Sequence, residues 1–358
     1  MNDIFKKSAE KINKPYNFKK GDPEFKPFFN LKEIKVPGAK IIEFKNVKVA
    51  SNFVVRKGFE FLKEPLLERR DADHYKSIKR KIRHFIKYII PRRSPYKNKK
   101  HILFTNDWCT NYYHWHVEAL GRLVIFHEKN LIKDSILLLP EKYKKIEFVQ
   151  ESLNAFSVKK EQILYVPRNS SLKVKKLLIA VCPINKKTKV SKTKEMLDKY
   201  FNEKMLKKSD ASKYKNLGEK VYIARVPPYA RRIENEEEVY NLLKKYDFKR
   251  VLMENFSYLD QVSIARNAKV ICGPHGAGLT NILFMKRNSF VLEFLKKNNK
   301  SHENEFVTHF CKMSSMCDLN YLFQFCKHHG EEQSFHQGNM VVDLKKLEKN
   351  LKLMVESQ

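Results

Sequence analysis

The stretch Val270-Ile-Cys-Gly-Pro-His-Gly-Ala-Gly-Leu-Thr-Asn-Ile-Leu-Phe-Met285 constrains this chain more than any other. Lys269–Cys272 is a short apolar run of the kind found in a strand covered on both faces, as in a parallel sheet. A tight turn follows, carrying Gly273, Gly276 and Gly278, which lack the Cβ that keeps a ligand away from backbone. Ala277–Phe284 then resumes a helical pattern. A helix N-terminus offers unpaired N–H groups and about half a positive charge, which suits a phosphate. His275 sits on the turn itself. The alternative is a strand-to-helix turn whose glycines serve packing alone. Three glycines, a histidine and a Thr-Asn pair in nine residues favour a site made of His275, Gly276, Ala277, Gly278, Leu279, Thr280 and Asn281.

The same strand–helix plan recurs in two blocks. In the first, His101–Thr105, Ile136–Leu139, Ile163–Val166 and Leu177–Val181 read as strands, with helices at about Tyr112–Lys129 and Lys144–Phe156. A lysine-rich helix near Ser191–Lys208 leads into the polar stretch Ser209–Lys220, a linker. The second block has strands at Val221–Arg225, Phe248–Met253, Lys269–Cys272 and Phe290–Leu295, and helices near Asn235–Lys245, Tyr258–Asn267 and Ala277–Met285. Such alternation implies an α/β fold with parallel sheets and right-handed crossovers. At 358 residues the chain is long enough for two such domains. Facing each other, they would hold a ligand in a central cleft at the carboxyl ends of their strands. The expected division is 1–208, 209–339, and a helical tail, 340–358, packing back across both. Lys35–Ala50 reads as short strands attached to the first domain.

A formal charge of +32 calls for an anionic partner. Residues 75–100 hold eleven Lys or Arg and no acid, with Tyr75, Ile78, Ile82, Phe85, Ile86, Ile89 and Ile90 at helical spacing up to Pro91. A basic amphipathic helix of this kind can lie on an anionic membrane surface, or pack its stripe on a core. No zinc-finger, RNP or basic-zipper pattern accompanies the charge, so nucleic acid is not an expected partner. No apolar run is long enough to cross a bilayer, and the N-terminus lacks a secretory h-region. Six cysteines without a paired framework read as reduced thiols. The expected location is the cytoplasm, at the periphery of the inner face of the cytoplasmic membrane.

Two further clusters carry chemistry. Asn111-Tyr-Tyr-His-Trp-His-Val-Glu118 opens a helix just past a strand. Its His114 and Glu118, four apart, lie on one face, and either can serve as a general base. Asn111, Tyr112, Trp115 and His116 are the acceptor-side candidates around them; the alternative is an aromatic core helix. The loop Arg225-Val-Pro-Pro-Tyr-Ala-Arg231-Arg232 places three arginines between a strand and an acid-capped helix. Guanidinium forks match phosphate oxygens, and with the glycine turn they can grip a diphosphate from two sides. Surface pairing with Glu234, Glu236 or Glu237 is the plainer role. Glu254, at the end of the next strand, suits a ribose or sugar hydroxyl. The His and Cys residues between 302 and 329 match no zinc spacing, and Cys317–Cys326 reads as part of a buried helix. No metal and no cofactor are expected. The one Asp-x-Asp, Asp71–Asp73, lies far from both phosphate-facing loops.

Taken together, Asn111–Leu123, Val221–Arg225, Arg231–Glu238 and Gly273–Met285 resemble glycosyltransferase family 61, whose bacterial members are described as capsular polysaccharide biosynthesis proteins. The resemblance runs from about His101 to Leu295 in matching order; Lys286 stands where a proline is frequent. It implies a GT-B fold of two Rossmann-like domains. It also implies inverting, metal-independent transfer from a nucleotide-sugar, usually UDP-linked, to a glycan or lipid-linked acceptor. Arg225, Arg231, Arg232 and the turn would then hold the departing diphosphate, and Glu118 or His114 would be the base. The family's preference for an acidic residue at that helix position favours Glu118. The rival functions are a non-catalytic nucleotide- or polyanion-binding protein and an RNA-binding protein.

Overall fold

A computed structural model describes residues 8–36, 38–63, 77–88, 90–181, 194–195, 198–199, 214, 217–297, 307–330 and 337–356. The chain divides into two compact units, one gathering Lys35–Met196, the other Ala9–Ile34 and Leu197–Gln358.

The first unit is built on an eight-stranded mixed sheet. In chain order its strands are β1 (Lys40–Ala50), β2 (Val55–Lys57), β3 (Glu60–Phe61), β4 (Arg92–Arg93), β5 (Lys100–Leu103), β6 (Ser135–Pro140), β7 (Ile163–Val166) and β8 (Ser171–Val181). They lie in the order β3-β2-β1-β8-β5-β6-β7, with β4 also paired to β8. β8, β5, β6 and β7 run parallel, while β1–β3 form an antiparallel flank. The parallel part has the order reversal of a doubly wound fold between β5 and β8. A basic helix, α1 (Ile78–Lys87), packs beside the antiparallel flank through Tyr88, Ala50 and Val54. After β5 the chain makes one turn of helix (Tyr112–His114), a π-helical stretch (Trp115–Leu120), then α2 (Gly121–Glu128), and α3 (Glu147–Ala155) follows β6.

In the second unit β9 (Lys220–Ile223), β10 (Lys249–Val251), β11 (Val270–Pro274), β12 (Phe290–Lys296), β13 (Asn320–His329) and β14 (Asn339–Val341) form one sheet. Its order is β10-β9-β11-β12-β13-β14, parallel throughout except for the β14 edge. That is a second doubly wound order, reversing between β9 and β11. The helices are α4 (Glu236–Lys244), α5 (Tyr258–Asn267), α6 (His309–Met316) and α7 (Leu344–Val355). Three of them begin where their sequence says they should: Ser257 Oγ accepts from Asp260 N–H, Asp343 caps α7, and three glutamates open α4.

Several elements differ from the sequence reading. Cys317–Cys326 is not a helix; β13 runs through it. The strand is buried on both faces, so its apolar run shows no two-residue alternation to separate strand from helix. Ala277–Phe284 is the expected helix, but in the tighter 3₁₀ geometry. Lys35–Ala50 is dominated by one eleven-residue strand, paired along its length with β8. Residues Ala9–Ile34 belong with the second unit, where Phe28 stacks on Phe323 of β13 at 4.5 Å and Tyr16 N–H donates to Tyr321 O. α7 packs Leu347, Leu351 and Met354 against Val239, Leu243 and Leu322 of that same unit. The expected helix at Ser191–Lys208, Asp71–Asp73 and most of Ser209–Lys220 lie outside the described residues. Among the described residues no helix is long and apolar enough to cross a membrane.

Candidate active site

In the second unit the loops after β9 and β11 flank the point where strand order reverses, the usual place for a ligand in such sheets. The Arg225 guanidinium lies directly over Gly276. A Cβ on Gly276 would stand 2.7 Å from Arg225 Nη2 and 2.9 Å from Cζ. The two motifs, separated by fifty residues of sequence, therefore meet. The other two glycines have different work. A Cβ on Gly273 would stand 2.8 Å from the Ile223 carbonyl oxygen, and one on Gly278 would stand 3.1 Å from Ile223 Cγ2. Both let β11 and its turn close on β9. Clearing space for a ligand is expected of all three; Gly276 makes room for the Arg225 side chain instead.

Arg225 donates to the Ala230 carbonyl at 2.7 Å, which folds the loop around it. Pro227–Pro228 in that loop is joined by a cis peptide bond. Arg231 is held at φ 65°, a left-handed conformation that costs a non-glycine residue about 1–2 kcal/mol. Its N–H donates to Gly338 O at 3.1 Å, but its buried Nε has no hydrogen-bond partner. Burial lowers the Arg231 pKa to about 10, and repulsion from Arg225 adds to the effect. Burial lowers Arg225 as well, offset in part by the attraction of Glu254. Two mutually repelling, half-desolvated guanidiniums form a site of strong positive potential. Arg232 turns aside and donates to Tyr229 O at 3.2 Å. Glu254 is exposed on a short turn just past β10.

The turn after β11 is braced from beneath. His275 Nδ1 meets Glu293 Oε1 of β12 at 2.5 Å, and Tyr321 Oη of β13 donates to Glu293 Oε2 at 2.5 Å. Glu293 is fully buried, and that burial raises its pKa to about 8 against the opposing pull of Tyr321 and Arg231. Asn281 is also buried; its amide donates to Gly278 O at 3.0 Å and to Gln261 Oε1 at 3.2 Å, tying the turn to α5. Leu279 and Thr280 are buried too, with Thr280 Oγ1 lacking a partner, whereas Ala277 and Gly278 are partly open. Sequence reasoning missed Glu293 and Tyr321. The available signal was a glutamate inside an otherwise apolar buried strand, which must find partners.

In the first unit, the loop after β5 also emerges at a reversal of strand order. His114 Nδ1 and Glu118 Oε1 are 2.7 Å apart. Asn106 Nδ2 donates to Glu118 Oε2 at 2.7 Å, its amide oriented because Oδ1 accepts from Trp108 N–H. Arg122 Nη2 stands 4.0 Å from the same carboxylate and anchors through Nη1 to Phe104 O. The carboxylate is 3 % exposed and the imidazole 20 %, so the histidine is the member that meets solvent. Trp108 stacks on the His114 ring and Tyr113 meets it edge-on. The π-helical stretch carries Glu118 inward at this place, where such bulges recur at functional sites. Beside the group, Phe53, Thr105, Asn106, Arg122 and Ile179 line a cavity of about 20 Å³, enough for one water.

The four neighbours expected to face an acceptor separate into two kinds. Asn111 is exposed and caps the helix by accepting from Tyr113 N–H at 3.0 Å; Tyr112 is half-buried. Trp115 and His116 are fully buried and lie under the site, not at its surface. Trp115 Nε1 donates to Ser152 Oγ at 2.8 Å. His116 Nδ1 donates to Tyr112 O at 2.7 Å, and burial lowers its pKa to about 4, keeping it neutral near pH 7. Asn106 and Arg122, absent from the sequence reading, complete the group. Among the described residues no three His, Cys, Asp or Glu side chains gather to hold a metal ion.

Comparison with known proteins places the chain beside glycosyltransferases. The family model described as Glycosyltransferase 61 matches residues 112–292, a span that includes both loops of the second unit and most of the His114–Glu118 group. The EGF domain-specific O-linked N-acetylglucosamine transferase of Drosophila melanogaster is 37% identical over 75 residues, 20% of this chain and 14% of that protein.

Proposed function

The chain belongs to the glycosyltransferase 61 family, and from that premise we propose that it transfers a sugar with inversion from a UDP-linked donor to a glycan or lipid-linked acceptor. The proposal includes a GT-B arrangement of two Rossmann-like domains, independence from metal, and a place in surface polysaccharide biosynthesis at the inner face of the cytoplasmic membrane. The relative's name makes N-acetylglucosamine the first sugar to test.

The apposition of Arg225 and Gly276, with Arg231 beside them, carries this reading. Departure of a nucleoside diphosphate concentrates negative charge on its terminal phosphate. Preformed cations in a partly buried site stabilise that charge without having to reorganise. Arg225 and Arg231 repel each other, so a bound diphosphate relieves that repulsion and gains charge-assisted hydrogen bonds. Glu254 is assigned to a sugar or ribose hydroxyl, and Arg232 to the rim of the donor site. His275 and Asn281 brace the turn that presents Gly276.

For the base, geometry favours His114, reversing the preference drawn from the family pattern. An ionised Glu118 can only accept, so the shared proton sits on His114 Nδ1 and leaves Nε2 as the basic lone pair. The acceptor hydroxyl gives its proton to Nε2 as it attacks the anomeric carbon. Glu118, held by Asn106, stabilises the imidazolium that forms. Asn111 and Tyr112 remain candidates to contact the acceptor. One displacement needs one base and no covalent intermediate.

Incubation with UDP-N-acetylglucosamine and a panel of other nucleotide-sugars, with release of free nucleotide as the readout, tests the proposal. A chain that binds no nucleoside diphosphate and releases none from any donor refutes it.

A further inference from the structure

Among the described residues of the basic segment the isoleucines of the apolar stripe do not pack on a core; Tyr75 and Ile89 lie outside the described residues. Ile78, Ile82 and Ile86, at four-residue spacing along α1, are 75%, 54% and 64% exposed, and Ile90 just beyond is 85% exposed. The helix is attached by another face: His84 is buried against Phe61 and Tyr88, and its Nε2 lies 3.3 Å from Asn52 Oδ1. Phe59, at the tip of the β2–β3 hairpin and 83% exposed, stacks on Phe85 at 4.9 Å and extends the apolar ridge. Buried Arg56 fastens hairpin to helix, donating to Gly58 O and Tyr88 O beneath the Phe85 ring. Single exposed apolar residues are ordinary, but five on one short basic segment and its neighbouring hairpin are not.

Charge identifies what covers the ridge. Lys79, Arg80, Arg83 and Lys87 of α1 are exposed, as are Arg92 and Arg93 of β4. α1 contains no acidic residue, and Glu60 of the hairpin is the one acid beside Phe59. A polyanion in water satisfies the cations but leaves the isoleucines wet. A protein groove satisfies the isoleucines but not so many cations. An interface of acyl chains beneath anionic headgroups satisfies both at the depth each requires. We propose that α1 and the Phe59 hairpin form a docking surface for an anionic lipid bilayer. The inference stands apart from the assignment of the donor site, since none of its residues belongs to that site.

Flotation of the full chain with vesicles tests it. Vesicles of phosphatidylglycerol and phosphatidylcholine in equal parts should carry the protein, those of phosphatidylcholine alone should not, and rising salt should release it. Replacing Ile82 and Ile86 together by Asp should lower partition at least about tenfold. Lys79→Gln with Arg83→Gln should lower it by roughly fivefold for each charge removed. Circular dichroism and the unfolding midpoint of both variants should match the wild type, showing that they fold. Three results overturn the proposal: no wild-type binding to the anionic vesicles; unchanged binding by the isoleucine variant; or an isoleucine variant that only converts a self-associated protein to monomer, which would make a second copy the occupant.

Discussion

Gly276→Ala is the most incisive single change available, because the structure separates its effect on Arg225 from any effect on the backbone. Gly276 has φ 167° and ψ −177°, an extended conformation that alanine adopts freely. The added methyl would sit 2.7 Å from Arg225 Nη2, 2.9 Å from Cζ and 3.3 Å from Nη1. Carbon atoms rest at roughly 3.5–4.0 Å, so the guanidinium must retreat by about 1 Å. It is the free end of a long side chain and can do so, giving up its aim and straining its 2.7 Å bond to Ala230 O. Losing one charge-assisted contact to a diphosphate costs about 1.5–3 kcal/mol, or about 10- to 100-fold in affinity. Calorimetric titration with UDP measures this, and thermal unfolding should be little changed. Gly273→Ala is the control. Its methyl would meet the Ile223 carbonyl at 2.8 Å, inside a paired strand that cannot swing aside. Overpacking there costs about 1–3 kcal/mol of stability and should lower the melting temperature. Because Gly276→Ala acts through Arg225, it should add little to Arg225→Met; the coupling should nearly equal the whole single-site effect. Wild-type UDP affinity in Gly276→Ala, or strict additivity in the double variant, refutes the argument.

Removing the proposed base by His114→Ala should lower turnover by about 10²–10⁴-fold with UDP affinity unchanged, and added imidazole should restore part of it. Wild-type turnover in that variant returns the role to Glu118. Glu293 supplies a pH test of the brace under the glycine turn. Its folded pKa, raised to about 8 by burial, lies above the ordinary carboxyl value, so between about pH 4.5 and 8 the native state holds more protons than the unfolded one. Stability against urea should therefore fall as pH rises through that window, by on the order of a few kcal/mol, and Glu293→Gln should flatten the slope; a flat wild-type profile contradicts the assignment. Excess chelator should leave transfer intact, and activity lost to chelator and restored by manganese would reverse the expectation of a metal-free site.

What was legible in the sequence was whatever chemistry acts locally. The Ile163–Val166 strand and the Tyr258–Asn267 helix agree with the reading residue for residue, one an apolar run between polar flanks, the other capped by Ser257. The reading failed where neither face of an element meets water. The sequence of β13 reads as helix because Tyr321, Leu322 and Phe323 are all buried and no period survives. The same limit applies to the site. Both loops that carry Arg225 and Gly276 announce themselves at strand ends, but the groups that aim them come from other strands. Glu293 reaches His275 across the β11–β12 pair, and Tyr321 of β13 reaches Glu293 in turn.

The two histidine–glutamate pairs show why contact geometry alone does not assign a role. Each joins an imidazole Nδ1 to a buried carboxylate, and each carboxylate takes a second hydrogen bond, from Asn106 or from Tyr321. They differ in access to water: the His114 side chain is 20 % exposed, that of His275 only 8 % above a carboxylate with no exposure at all. A general base must reach a proton outside the protein, while a brace must not move. The first pair therefore suits proton transfer. In the second, the edge of Phe310 packs on the His275 ring, and Glu293 ties it to β13 through Tyr321. That pair fixes the turn so that Gly276 stays beneath Arg225. The prediction that separates them is kinetic against thermodynamic: His114→Ala should strip turnover and spare stability, and Glu293→Gln should change the pH dependence of stability before it changes the chemical step.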